Sequence, residues 1–258
     1  MKVKAHFIAP ELLNPANPIE VCLIGAGGTG SQVLTALARM SHSLIALGHA
    51  GFQVTVYDDD VITAANMGRQ LFAPSEVGLY KSAALVLRCN RFFGSGWKAV
   101  PKQFGEGNSR RAAIYISCTD SAVSRFFIAD ALQQPAQRKY YDNFPRYWMD
   151  FGNAKQTGQV ILSTIGSIEQ PPSGKYCTVE RMPFITDEFP ELLRQGDAHG
   201  DAPSCSLAEA LEKQDLFINS ALAQVGCSLL WQLFRNGYTT QRGVFLNLED
   251  FRSAGLPL

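Results

Sequence analysis

The sequence predicts an α/β fold: a doubly wound, mainly parallel sheet with a long crossover loop in its second half. Three observations predict it. An apolar run, Val21-Cys22-Leu23-Ile24, leads straight into glycines at 25, 27 and 30. Strand-like and helix-like patterns then alternate along the chain. Two acidic turns, Asp58-Asp59-Asp60 and Asp120, each follow a strand, at the edge where such a sheet binds its ligands.

The elements follow in order. Val21–Ile24 reads as a buried first strand, and a helix from about Thr29 carries Val33, Leu34, Leu37, Met40 and Leu44 at helical spacing. Gln53–Tyr57 alternates as a second strand. Lys81–Phe93 reads as a helix, Trp97–Val100 as a short third strand, and Ala113–Cys118 as a fourth, running into a helix through Ala131. Lys139–Asp142, Trp148–Gly152 and Gly158–Thr164 read as three further strands. This β-α-β-α order is Rossmann-like. From Gly166 to Ser206, Pro171, Pro172, Pro183, Pro190 and Pro203 break every periodicity, and loops this long are usually functional. An amphipathic helix over Asp215–Phe234 and a last strand over Gly243–Leu248 complete the chain. With no internal repeat, residues 1–258 read as one domain.

Composition excludes several classes. The 258 residues hold 23 basic and 23 acidic side chains, so there is no electrostatic footprint for nucleic acid or an anionic membrane. No stretch approaches the roughly 20 apolar residues of a membrane span. Six cysteines are scattered without a C-x-x-C pair, against a four-cysteine zinc site or a small disulfide scaffold. A cytoplasmic, reducing environment is expected.

The polar residues converge on nucleotide chemistry. Glycines 25, 27 and 30 fit G-x-G-x-x-G, with Gly28 between them, a turn that lets backbone approach phosphate at a helix N-terminus. Asp58 or Asp60, ending the second strand, stands where an acid binds ribose hydroxyls. Asn66, Arg69 and Gln70 follow, Lys81 opens the next helix, Asp120 ends the fourth strand, and Arg125 lies one turn on. Such a set suits nucleotidyl transfer. Asp120 can hold Mg²⁺, which prefers carboxylate and phosphate oxygens, while Arg69 and Lys81 neutralise charge on the α-phosphate and the leaving pyrophosphate.

At these residues the sequence resembles the ThiF/MoeB/ubiquitin-activating superfamily. The resemblance rests on the glycine turn, on Asp58 to Gln70, on Val77-Gly78-Leu79-Tyr80-Lys81 and on Cys118-Thr119-Asp120-Ser121. It is most similar to the ThiF-type protein of bacterial PRTRC systems. The resemblance implies Mg-ATP-dependent adenylation of the C-terminal carboxylate of a ubiquitin-like protein, by a homodimer. It makes Asp58 the ribose ligand, with Asp60 left open by the run of three aspartates. Asn66, Arg69 and Lys81 would meet the phosphates, Gln70 would support them, and Asp120 would bind Mg²⁺. Ala65 and Ile62 replace the usual Ser and Val, and residues 1–24 contain no counterpart of the arginine that relatives donate to a partner subunit.

Relatives also hold a thioester-forming cysteine in the crossover. Cys177, in Cys177-Thr178-Val179-Glu180-Arg181-Met182-Pro183, resembles that element; Cys205, just before a helix start, is the second choice. Cys22, Cys89, Cys118 and Cys227 read as small core residues. Two other readings stand beside adenylation. One is an NAD(P)-dependent oxidoreductase, whose glycine turn would look the same; the other is a nucleotide-binding scaffold with little turnover.

Overall fold

Strand β2 (Ile19–Ile24) is an interior strand of the main sheet, and its alternation explains why it reads as an unbroken apolar run. Val21 and Leu23 pack with one group of helices, Cys22 and Ile24 with another, so both faces of the strand are covered. The computed structural model describes residues 2–67, 70–106, 111–133, 145–197 and 211–258.

In chain order the elements are β1 (Lys4–Phe7), β2, α1 (Gly28–Ala46), β3 (Phe52–Tyr57), α2 (Lys81–Phe93), β4 (Lys98–Val100), β5 (Ile114–Ser117) and α3 (Ala122–Gln133). Then come β6 (Tyr147–Asn153), β7 (Thr157–Thr164), β8 (Cys177–Thr178), α4 (Ile185–Glu188), α5 (Pro190–Asp197), α6 (Ile218–Asn236), β9 (Tyr238–Thr239), β10 (Gln241–Asn247) and β11 (Arg252–Pro257). The main sheet has eight strands in the order β11-β10-β7-β6-β5-β2-β3-β4. From β4 to β6 the neighbours are parallel; β6-β7, β7-β10 and β10-β11 are antiparallel. Helices α1, α2 and α6 share the core on one face, and α3, α4 and α5 that on the other. The doubly wound, mainly parallel architecture is therefore the one expected.

The order of crossovers positions the site. From β2 the chain steps outward to β3 and β4, then returns to lay β5 on the other side of β2. Connections therefore leave β2 and β5 in opposite directions, which opens a crevice at their carboxyl ends. A smaller sheet, β8-β1-β9, is separate: β1 pairs in parallel with β8, Lys4 opposite Cys177, and antiparallel with β9.

Several local expectations need correction. Gly243–Leu248 is not the last strand: β10 turns through residues 248–251 into the edge strand β11. Its sequence, Arg-Ser-Ala-Gly-Leu-Pro, carries no apolar alternation, and a terminal Pro257 is tolerated because an edge strand needs hydrogen bonds on one side only. Helix α6 starts at Ile218 rather than Asp215, since the Asp215 carboxylate accepts a hydrogen bond from Phe217 N (2.8 Å) and holds a turn there. Strand β1, with buried Ala5 and His6 between exposed Lys4 and half-buried Phe7, went unread. The segment after Gly166 is not wholly irregular, because it carries β8, α4 and α5. The strand expected over Lys139–Asp142 lies outside the described residues.

Candidate active site

The glycine turn is built by close approach. Gly25 has φ +92°, and a Cβ on it would lie 2.7 Å from the Cys118 carbonyl oxygen. A Cβ on Gly30 would lie 2.0 Å from the Gly25 carbonyl oxygen, so only glycine lets α1 start this close to β2. Gly27 differs: nothing stands within 4 Å of where its Cβ would be. That open space faces the cleft. Helix α1 has no side-chain cap and no acid in its first turn, leaving its free N–H groups and positive dipole end for an anion.

The cleft, of about 1010 Å³, spans the carboxyl edge from β4 to β6. On the β3 side, Asp58 Oδ2 accepts from Ala26 N at 2.6 Å and its Oδ1 from Asp60 N at 3.0 Å. Burial pushes the Asp58 carboxyl up from its ordinary value, and the Ala26 N–H and nearby Lys81 pull it back. Asp60 is the exposed one and holds Lys81 Nζ at 2.7 Å. Lys81 is only 7% exposed and sits in the first turn of α2, where the helix dipole disfavours a cation. Asp60 and the cleft are what keep it there.

Asn66 caps its own 3₁₀ turn: Thr63 N donates to Asn66 Oδ1 at 2.8 Å. Gln70 is 7% exposed and its Oε1 has no partner among the described residues, and neither has the buried Thr119 Oγ1. Both side chains line the cleft, so its walls carry unspent hydrogen-bonding atoms of the kind a nucleotide satisfies. Arg69 and Cys205 lie outside the described residues.

Across β2, Asp120 is exposed on the same cleft and makes no hydrogen bond or ion pair among the described residues. Its fixed place comes from behind. Arg125, 6% exposed, donates through Nε to Asp150 (3.1 and 3.2 Å) and through Nη2 to the carbonyls of Thr119 (2.6 Å) and Phe151 (3.1 Å). Ser117 Oγ donates to Asp150 Oδ1 at 2.5 Å, and Trp148 Nε1 to Ser117 Oγ at 2.8 Å. Arg125 is thus no cleft cation; it clamps the turn that presents Asp120. Asp120 suits Mg²⁺, which takes one or two carboxylates and completes its shell with phosphate oxygens and water. Among the described residues no group of three or more His, Cys, Asp or Glu side chains could hold a metal without such help.

The cysteines divide. Cys22, Cys89 and Cys227 are buried, as expected. Cys118 is half-buried and lines the cleft as well as touching the core, and burial holds its thiol well above the ordinary value. Cys177 is exposed on β8, in the smaller sheet, and is not among the residues lining the cleft. Sequence reasoning missed Asn153, Gln214 and Asn219, which line the end of the cleft beyond Asp120. No local motif marks them; the fold alone brings them to the glycine turn.

Among the described residues no helix is long and apolar enough to cross a membrane. No curated protein matches the chain significantly. Among solved structures it is similar to Escherichia coli MccB with MccA (13% identity, 96% of this chain and 64% of that one, TM-score 0.58). It is likewise similar to E. coli MccB with ATP (13% identity, 96% and 64%, TM-score 0.57) and to PaaA (13% identity, 93% and 72%, TM-score 0.61). The chain thus spans about 64% of the length of MccB. At such identities the likeness establishes the fold. A model of the ThiF family matches residues 2–232, nearly all of the sequence that builds the glycine turn, the acidic turns and α6: the chain belongs to the ThiF family.

Proposed function

We propose that the protein uses Mg-ATP to adenylate the C-terminal carboxylate of a peptide or protein. The observation that carries the reading is the cleft at the switch between β2 and β5. An open glycine turn and an uncapped helix lie at its centre, Asp58 and Lys81 on one side, and Asp120, without a partner among the described residues, on the other. The triphosphate would lie over Gly27 and the first turn of α1, with Asp58 toward the ribose. Asp120 would hold Mg²⁺, which would supply charge neutralisation at the phosphates. Lys81, released from Asp60, and Arg69 would stabilise charge on the transferring group. A carboxylate oxygen of the acceptor attacks the α-phosphorus, the bond to the bridging oxygen breaks, and pyrophosphate leaves, giving an acyl adenylate. Little else is required of the protein than in-line positioning.

That MccB is crystallised with ATP and with MccA supports a nucleotide and a peptide as the two substrates here. The finer form of the proposal is that the acceptor is a ubiquitin-like protein, as in PRTRC-type members, that residues 1–258 act as one adenylation domain, and that two copies work as a homodimer. A thioester on Cys177, or on Cys205, would follow adenylation. For Cys177 it requires the crossover segment to leave β1, since Cys177 N is bonded to Val3 O (3.0 Å) and Val179 N to Ala5 O (2.9 Å).

The test is ATP–pyrophosphate exchange with purified protein and Mg²⁺, with and without the candidate acceptor. Exchange that requires the acceptor's free carboxylate is expected. Absence of exchange together with NADH or NADPH binding would replace the reading by the oxidoreductase; absence of both would leave the scaffold.

A further inference from the structure

Helix α2 carries Lys81 in its first turn, lining the cleft, and Arg88 about two turns further on, outside it. Arg88 reaches the segment that follows Gln70. Its Nη1 donates to the Leu71 carbonyl oxygen at 2.5 Å, and its Nη2 pairs with Glu76 Oε2. The same Glu76 oxygen accepts from Ala73 N at 2.8 Å, across the 3₁₀ turn Pro74–Glu76. One guanidinium thus ties both ends of the stretch 71–76 to α2. Helix α1 holds it as well: Leu71 N donates at 3.4 Å to the Oγ of Ser31, a fully buried residue in the first turn of α1. Leu71 is therefore gripped between the helix whose N-terminus opens on the glycine turn and the helix that begins with Lys81. Gln70, directly before it, donates its N–H to the Asn66 carbonyl (3.0 Å) and accepts from Phe72 N (2.9 Å), with its side chain in the cleft wall.

The Arg88 side chain is 43% exposed, so its ion pair adds little to global stability. A planar guanidinium can nevertheless fix two acceptors relative to each other, and both acceptors here belong to the stretch next to Gln70. We infer that Arg88 is a positioning residue for the nucleotide: through Leu71 and Glu76 it sets, from outside the cleft, where Gln70 and the loop before it meet the phosphates. This rests on the reading of the cleft as a Mg-ATP site. Helix α2 becomes a common mount, holding Lys81 and Gln70 at one separation so that a triphosphate meets both at once. Asp58, fixed on the ribose side by Ala26 N, does not depend on Arg88.

Calorimetry on the full chain with Mg²⁺ tests this with two nucleotides. One is α,β-methylene-ATP, which cannot release pyrophosphate; the other is AMP, which lacks the β- and γ-phosphates. Arg88→Met keeps the length of the side chain and removes its donors. It should weaken α,β-methylene-ATP about fivefold, the upper worth of an exposed ion pair, and leave AMP affinity and the melting temperature unchanged. Glu76→Gln, which spares the Leu71 bond, should act in the same direction more weakly, and stands in if Arg88→Met melts early. Equal losses for the two nucleotides mean a general loosening and overturn the inference, as does an unchanged affinity for α,β-methylene-ATP in both variants; adenylation survives either result. If α,β-methylene-ATP binds the unsubstituted protein no better than AMP, or not at all, the adenylation reading falls with it.

Discussion

The edge of the main sheet and the smaller sheet β8-β1-β9 both carry residues singled out for chemistry, yet they are built differently. At the main edge, four successive strand ends deliver Asp58, the glycine turn, Asp120 and Asn153 to one cleft, each tied by backbone bonds or a buried network. The smaller sheet offers one exposed thiol on a two-residue strand, away from that cleft. Convergence of several constrained groups points to chemistry more strongly than the reactivity of a single one. The main edge has convergence and Cys177 alone does not.

The sharpest way to break this contrast is at Gly30. Gly30→Ala forces a Cβ to 2.0 Å from backbone oxygen and should destabilise the fold by about 3 kcal/mol or prevent it, read by urea unfolding. Asp120→Ala should leave the urea midpoint alone and lower pyrophosphate exchange about a hundred- to a thousandfold; unchanged exchange would remove Asp120 from the site. Gly27→Ala meets no protein atom, so it should fold normally but bind ATP about tenfold more weakly, because the methyl occupies the phosphate's approach.

The smaller sheet has its own probe. His6 is fully buried; Nδ1 lies 2.7 Å from Val179 O and Nε2 2.8 Å from Tyr147 Oη, which also accepts from Ala9 N at 3.0 Å. A neutral ring serves both contacts, donating from Nδ1 and accepting at Nε2. Burial lowers its pKa below the ordinary 6.5 despite the Val179 bond. The unfolded chain therefore binds the proton first, and stability held at neutral pH is lost as pH falls from 6.5 through the lower folded value. His6→Gln should flatten that part of a stability-against-pH curve; an unchanged curve would exclude His6 as its source. The smallest effect belongs to Cys177→Ser, which should leave exchange within about twofold and remove only a thioester, if one forms.

Much of the main edge was legible because its signals are local. A strand, a glycine turn and a helix start occupy one short stretch at Val21 to Ser31, and Lys81–Phe93 opens and closes as its spacing and Gly94 require. What stayed hidden depends on distant partners. Arg125, placed by the sequence only one turn after Asp120, gains its part through Asp150, and Asn153 and Asn219 acquire meaning only through Thr29. Strand β1 has too few residues to signal itself, and its partners lie more than a hundred residues on.

The placing of β1 also has a consequence for synthesis. The fourth residue of the chain waits for the 177th, and the sixth for the 239th, before either strand pair can close. On a ribosome, β1 would therefore emerge well before its partner strands and pair late, after the nucleotide half is already made. Such long-range closure slows folding, and β1 stays unpaired, open to chaperones and proteases, until both partner strands have been made.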